Sequence, residues 1–128
     1  MIQRERIKQE FFPGQIIQKA VGKDGLSLSG KMTMGFARYG SEGGRAEPHN
    51  HAEEIVYVLS ADGAWVRFGP AKDQLGKRVP ISSGMVLHFP AQEWHIFECM
   101  EGGHVDLIFF SGPANRAEEN HGKARSRA

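Results

Sequence analysis

The chain has 128 residues, a length that fits one domain and allows a substantial buried core. Its 16 basic and 15 acidic residues nearly balance, which argues against a nucleic-acid-binding surface and against attraction to an anionic membrane. No apolar run approaches the ~20 residues of a membrane-spanning helix, and the polar segment 1–10 is unlike a secretory signal. Cys99 is the only cysteine, so an internal disulfide is excluded and a reducing, cytoplasmic location is expected.

Residues 1–30 are an N-terminal segment that we expect to pack on the domain or on a partner subunit. The segment could begin with a short helix or with an edge strand. Its apolar side chains, which would otherwise leave an exposed patch, are Ile2, Ile7, Phe11, Phe12, Ile16 and Ile17. Because such patches usually mark an interface, the sequence predicts a homodimer that buries them.

Residues 31–112 contain short apolar or alternating runs separated by turn-forming residues. The runs are 31–38, 55–59, 64–68, 85–89, 94–98 and 105–110. The segments between them, including 60–63 and 100–103, are rich in turn-forming residues and are predicted to be turns or loops. Short strands at this close spacing indicate an all-β barrel or sandwich. Residues 113–128 contain no large apolar side chain, so they are predicted to form a flexible tail.

Two histidines and two glutamates lie within residues 49–54, and a third histidine follows after a second predicted strand. His49 and His51 are separated by one residue, and on a strand such residues point to the same face. Both imidazoles, together with His95, could therefore point into one interior. Imidazoles and carboxylates are ligands that divalent transition metals prefer, so the pattern favours a metal site over exposed histidines in a polar loop.

The spacing of these residues resembles the two sequence motifs of a small single-domain cupin. In the first motif five residues separate a glycine from H-x-H, as they separate Gly43 from His49, and a glutamate follows. In the second motif a glycine, five residues, P-x-G and two further residues lead to a histidine. Gly84, Pro90 and His95 have this spacing.

The resemblance covers roughly residues 30–112 and implies a double-stranded β-helix, the jelly-roll barrel of cupins. It also implies one divalent metal ion, which could be iron, manganese, nickel, cobalt, copper or zinc. The expected ligands are His49, His51, Glu54 and His95.

The sequence departs from the cupin pattern at three points. Gln92 replaces the glycine of P-x-G, and Cys99 replaces a motif asparagine, where it could be a core residue or a thiol near the metal. Only two residues separate His51 from Glu54, which is one fewer than usual. Straight strand parity from the histidines selects Glu53 as the carboxylate ligand, whereas the cupin register selects Glu54. A bulge before Glu54 would reconcile the two, and we favour Glu54.

Other side chains have less specific patterns. His88 could face inward near the metal or outward toward solvent, and outward is favoured. Arg38 and Arg67 lie in predicted strands, where an inward arginine could clamp a carboxylate, although outward exposure is again favoured. Most of the alternating aromatic side chains are predicted to fill the core. They include Phe36, Tyr57, Trp65 and Phe97.

Three functions are compatible with this pattern. The first is a metalloenzyme that acts on a small polar metabolite as a dioxygenase, as an isomerase or epimerase, or as a decarboxylase, that is, as a metal-dependent oxidoreductase, isomerase or lyase. A metal with open positions can polarise a substrate oxygen or activate dioxygen or water. The second is a binding or sensing module that captures a small molecule without turnover. The third is a metal-free storage-type barrel, which the three histidines disfavour.

Overall fold

The computed structural model describes residues 1–41, 46–50 and 52–112. The strands are β1 Glu10–Phe12, β2 Gln15–Val21, β3 Thr33–Gly40, β4 Glu54–Gly69, β5 Val79–Pro80, β6 Val86–Phe89 and β7 Trp94–Ser111. They form one antiparallel sheet in the order β1-β2-β3-β7-β4-β5, and β6 also pairs with β4. The predicted all-β class is confirmed. Gly43, His51 and the predicted tail 113–128 lie outside the described residues.

Helical structure is minimal in the part of the chain that the structure describes. It consists of one 3-10 turn, Arg4–Arg6. No helix among these residues is long and apolar enough to cross a membrane.

The first half of β4 shows the alternation that places the core on one side of the sheet. Glu54, Val56 and Val58 are buried, whereas Ile55 and Tyr57 between them are exposed. Successive side chains of a strand point to opposite faces, so the inward and outward positions are fixed from Glu54 onward.

The two longest strands each join segments that the sequence predicted as separate strands. β4 continues through residues 60–63, and β7 continues through residues 100–103, where turns were expected. Their pairing shifts register between Asp62 and Ala64. Gly63 and Gly102 adopt φ values of 60° and 80°. Glycine tolerates these values, so the extra residues are absorbed as an irregularity within the ladder rather than ending both strands.

The core lies between the inward faces of the wound sheet. Its largest fully buried side chains are Val56, Val58, Val66, Val105 and Leu107. Phe97 is 4% exposed and joins this core as predicted, but Tyr57 is 41% exposed and does not. The prediction for Tyr57 is wrong because it shares the outward parity of Ile55.

The N-terminal segment packs on its own sheet. Ile7 is buried, and β1 and β2 extend the sheet beyond β3. Arg4 anchors the segment through two hydrogen bonds to the Asp106 carboxylate on β7, with N···O distances of 2.9 and 2.6 Å. The guanidinium also lies 4.4 Å from the centre of the Phe36 ring. Gln18, which is buried, accepts a hydrogen bond from Arg4 Nε and donates to the Arg4 and Ile7 carbonyls.

Candidate metal centre

His49 and His95 lie opposite each other across an antiparallel bridge. Each backbone N–H donates to the other residue's carbonyl, and both N···O distances are 2.8 Å. Directly opposed residues place their side chains on the same face of a ladder. The two imidazole centroids are accordingly 6.4 Å apart.

Glu54 enters the same interior from the first position of β4. Its Oε1 lies 3.4 Å from His95 Nε2, and the two side chains are only 10% and 5% exposed. On the other side of the ring, His95 Nδ1 lies 3.3 Å from the Glu93 carbonyl. The Glu93 carbonyl and the Glu54 carboxylate are both acceptors, so the contact to Glu93 is a hydrogen bond in the tautomer with the proton on Nδ1, in which Nε2 would be the metal-binding nitrogen directed toward Glu54.

Glu53 points the opposite way. Its carboxylate lies 2.6 Å from His88 Nε2, and both side chains are more than half exposed. His88 therefore faces solvent, as favoured from the sequence. Regular strand parity fails to identify the inward glutamate because the chain bends at Ala52 and β4 begins only at Glu54.

Aromatic rings surround the carboxylate–imidazole pair. Phe89 stacks on His95 with a centroid distance of 4.1 Å and an interplanar angle of 13°. Phe97 meets the same imidazole edge-on at 6.3 Å. Burial, and secondarily the charge of Glu54, raise the pKa of the Tyr39 phenol, which stays protonated at neutral pH. The sequence reasoning did not single out Phe89 or Tyr39, although Phe89 occupies the position opposite Glu54 in the β4–β6 ladder.

Neither of the two arginines considered as a carboxylate clamp, Arg38 and Arg67, faces the interior. Arg38 is exposed, and Arg67 donates to the Gly76 carbonyl while its guanidinium lies 3.8 Å from Glu98. Both arginines are thus outside the interior, in agreement with the favoured expectation. Cys99 packs against the core and donates to the Tyr39 carbonyl, with an S···O distance of 3.7 Å. This placement favours a structural role for the thiol.

Gln92 explains one departure from the cupin pattern. It has a φ of 68°, the left-handed conformation that normally favours glycine. Gln92 thus adopts a conformation that would suit the glycine of the motif. The Gln92 carbonyl accepts a hydrogen bond of 3.3 Å from Asn50 Nδ2, which ties the segment before His95 to the segment after His49.

Of the four expected ligands, the structure places Glu54 against His95, and the His49 ring lies 6.4 Å from the His95 ring between centroids. His51 lies outside the described residues. Within the ranges that the structure describes, no group of three or more His, Cys, Asp or Glu side chains is close enough to count as a metal site. The described residues thus supply a buried carboxylate–imidazole pair with a second imidazole beside it.

Comparison with solved structures identifies the fold. The chain is similar to the polyketide cyclase RemF from Streptomyces resistomycificus, with a TM-score of 0.69, 19% identity, and coverage of 90% of this chain and 80% of that one. An RmlC-like cupin from Shewanella frigidimarina gives a TM-score of 0.64 at 16% identity, with 88% and 89% coverage. The hydroxypropylphosphonic acid epoxidase from S. wedmorenis gives 0.64 at 12% identity, and the match spans 87% of this chain but only 58% of the epoxidase.

Two further structures of such an epoxidase, both in the Fe(II) form, are similar to the chain with TM-scores of 0.61 and 0.63. No protein-family model and no curated protein sequence matches the chain. The chain has the cupin fold, as its two motifs indicated.

Proposed function

We propose that the protein is a metal-dependent enzyme that binds one divalent transition metal through His49, His51, Glu54 and His95 and acts on a small molecule inside the barrel. The observation that carries the proposal is the buried pair of Glu54 and His95 within an otherwise apolar and aromatic interior. Placing a carboxylate and an imidazole there costs free energy, and a bound cation offsets that cost.

The contact geometry of the pair supports a cation rather than a simple hydrogen bond. In the tautomer with the proton on Nδ1, His95 Nε2 and the Glu54 carboxylate would both be donors to one cation. Two atoms that each lie about 2.1 Å from a metal are separated by roughly 3.0–3.4 Å at octahedral or tetrahedral angles. The observed separation of 3.4 Å is within that range. A metal bound there would supply Lewis-acid chemistry or activate water or dioxygen.

The residues around the pair favour a ligand with an apolar or aromatic body. Phe89 and Phe97 present ring surfaces next to His95, and no arginine or lysine among the described residues accompanies them. The protonated Tyr39 phenol is available as a hydrogen-bond donor to a ligand oxygen. This modifies the expectation of a small polar metabolite. The solved structures that the chain resembles include enzymes, among them a polyketide cyclase and an Fe(II) epoxidase, and this supports turnover as the function.

Comparing two neighbouring glutamates tests the proposal. Glu54→Gln should weaken Co²⁺ or Mn²⁺ binding at least ~100-fold, because a ligand is lost, and Glu53→Gln should leave it within about twofold. Elemental analysis of the purified protein and calorimetric titration with the metal give the readouts. Equal affinities for the two variants, or a wild-type protein that binds none of the candidate metals, would contradict the metal site. Oxygen consumption by the metal-loaded protein with phenolic or enolic compounds then separates oxygenase from non-oxidative chemistry.

A further inference from the structure

The Phe89 ring lies flat against the His95 imidazole, with a centroid distance of 4.1 Å and an interplanar angle of 13°. Phe89 is 3% exposed and His95 is 4% exposed, so the stack is buried. Phe68 and Phe97 meet Phe89 edge-on, at centroid distances of 6.4 and 6.1 Å, and support it from other directions. Because a close-packed interior leaves little room for a ring to tilt, the stack fixes the plane of the imidazole.

Backbone pairing places Phe89 next to both members of the carboxylate–imidazole pair. Phe89 is the last residue of β6 and lies directly opposite Glu54 on β4, so the two side chains share the inward face of the ladder. The Glu54 carboxylate in turn lies 3.4 Å from His95 Nε2. One aromatic ring thus adjoins both side chains.

A short turn joins Phe89 to His95 and adds a second restraint on the imidazole. The Glu93 N–H donates to the Pro90 carbonyl at an N···O distance of 3.1 Å, and β7 follows. The Glu93 carbonyl lies 3.3 Å from His95 Nδ1, which is a hydrogen bond in the tautomer with the proton on Nδ1. Stacking alone would permit a 180° flip of the imidazole about its Cβ–Cγ bond, because the flip keeps the ring plane. The carbonyl selects the orientation in which Nε2 faces Glu54.

We propose that Phe89 is a positioning residue for the metal centre, whose ring holds the His95 imidazole in the plane from which Nε2 meets a cation shared with Glu54. This inference rests on the proposed function. A ligand that is oriented in advance loses less conformational freedom when the metal binds. Partners that orient a metal-binding histidine typically contribute about 10–100-fold to metal affinity. Phe89 would supply this orientation by ring packing, together with the hydrogen bond to the Glu93 carbonyl.

Calorimetric titration with Co²⁺ and the visible spectrum of the bound Co²⁺ test the proposal. Leucine keeps an apolar side chain but has no flat face, so Phe89→Leu should raise the Kd for Co²⁺ at least ~10-fold and change the spectrum. Phe68→Leu is the matched control, because Phe68 packs on the same ring but edge-on and is 38% exposed. It should leave the Kd within about threefold and the spectrum unchanged. Circular dichroism checks the fold, and Phe89→Met, which also lacks a flat face, is used if Phe89→Leu does not fold.

Nuclear magnetic resonance of the metal-free protein gives a readout that does not depend on metal binding. At pH 8, above the ordinary histidine pKa of about 6.5, long-range ¹H–¹⁵N correlations should show His95 in one tautomer, with the proton on Nδ1. Phe89→Leu should give a mixture of tautomers, whereas Phe68→Leu should not.

The outcomes separate this inference from the proposed function. If Phe89→Leu bound Co²⁺ with the wild-type affinity and spectrum, or if Phe68→Leu weakened binding equally, Phe89 would only fill space and the proposal would be overturned. If the wild type bound no metal but Phe89→Leu alone mixed the tautomers, the metal site would be refuted, and Phe89 would still be the residue that orients His95.

Discussion

Arg4→Ala should lower the stability of the whole domain, although Arg4 lies in a three-residue turn near the chain start. The guanidinium donates two charge-assisted hydrogen bonds to Asp106 and one bond to Gln18, and it covers Phe36. Hydrogen bonds to charged groups contribute about 1.5–3 kcal/mol, and an exposed cation–π contact about 0.5–1 kcal/mol. Because the Arg4 side chain is 34% exposed and solvent screens the pair, the lower ends apply. The expected loss is about 2–3 kcal/mol.

Urea denaturation and thermal unfolding measure this loss. For a chain of this size, a loss of 2–3 kcal/mol corresponds to a decrease in Tm of roughly 10 °C. Arg6→Ala is the matched control, since Arg6 has the same charge and lies in the same turn but is exposed. Arg4→Lys should recover only part of the loss, because lysine keeps the charge but cannot form the paired contact with the carboxylate.

A double-mutant cycle separates the pair from the rest of the anchor. Arg4→Ala combined with Asp106→Asn should show a coupling free energy of at least about 1 kcal/mol. If Arg4→Ala were no more destabilising than Arg6→Ala, the N-terminal segment would not be held by this contact.

Two further substitutions test backbone strain and burial. Gln92→Gly should raise the free energy of unfolding, measured by urea denaturation, by a few tenths to about 1 kcal/mol. The reason is that glycine relieves the strain of the left-handed conformation by more than it adds entropy to the unfolded chain. A clear loss of stability would show that the Gln92 side chain stabilises the turn. Burial raises the pKa of the Cys99 thiol, so iodoacetamide at pH 8 should react at least ~tenfold more slowly with the folded than with the unfolded protein. The Cys99 pKa is higher in the folded protein than in the unfolded chain, so ionisation of the thiol favours unfolding only when the pH rises above the unfolded pKa of about 8.5. Cys99→Ser should abolish this part of the pH dependence of the free energy of unfolding.

Local pattern was sufficient to predict the class of fold and most of the strands. The alternation of Val56 and Val58 with Ile55 and Tyr57 is visible in the sequence, and turn residues bound most strands. Local sequence pattern was insufficient where the pairing of β4 with β7 contains an irregularity. Residues 100–103 look like a turn by composition, yet β7 passes through them because Gly102 takes a positive φ and the pairing with β4 resumes beyond it.

The side on which a residue lies was the harder property to predict. Tyr57 was expected in the core by its chemistry, but parity from Glu54 sends it outward. The anchor between Arg4 and Asp106 joins residues 102 positions apart, and no local pattern predicts such a contact. Phe89 could have been found by asking which side chain opposes Glu54 across the next strand, once the β4–β6 pairing was assumed.

The bend at Ala52 decides which side chains of β4 point inward and which point outward. His49 is held opposite His95 by its own bridge, so its side-chain direction does not depend on the strand that follows. The bend resets the parity, and Glu54 rather than Glu53 then faces the imidazoles. The same reset turns Ile55 and Tyr57 outward, where they are 48% and 41% exposed. Had strand geometry run straight from His49, Glu53 would face the core, and Ile55 would take the inward place of Val56. One irregularity in the backbone therefore directs the Glu54 carboxylate toward the candidate metal centre and turns Ile55 and Tyr57 toward solvent.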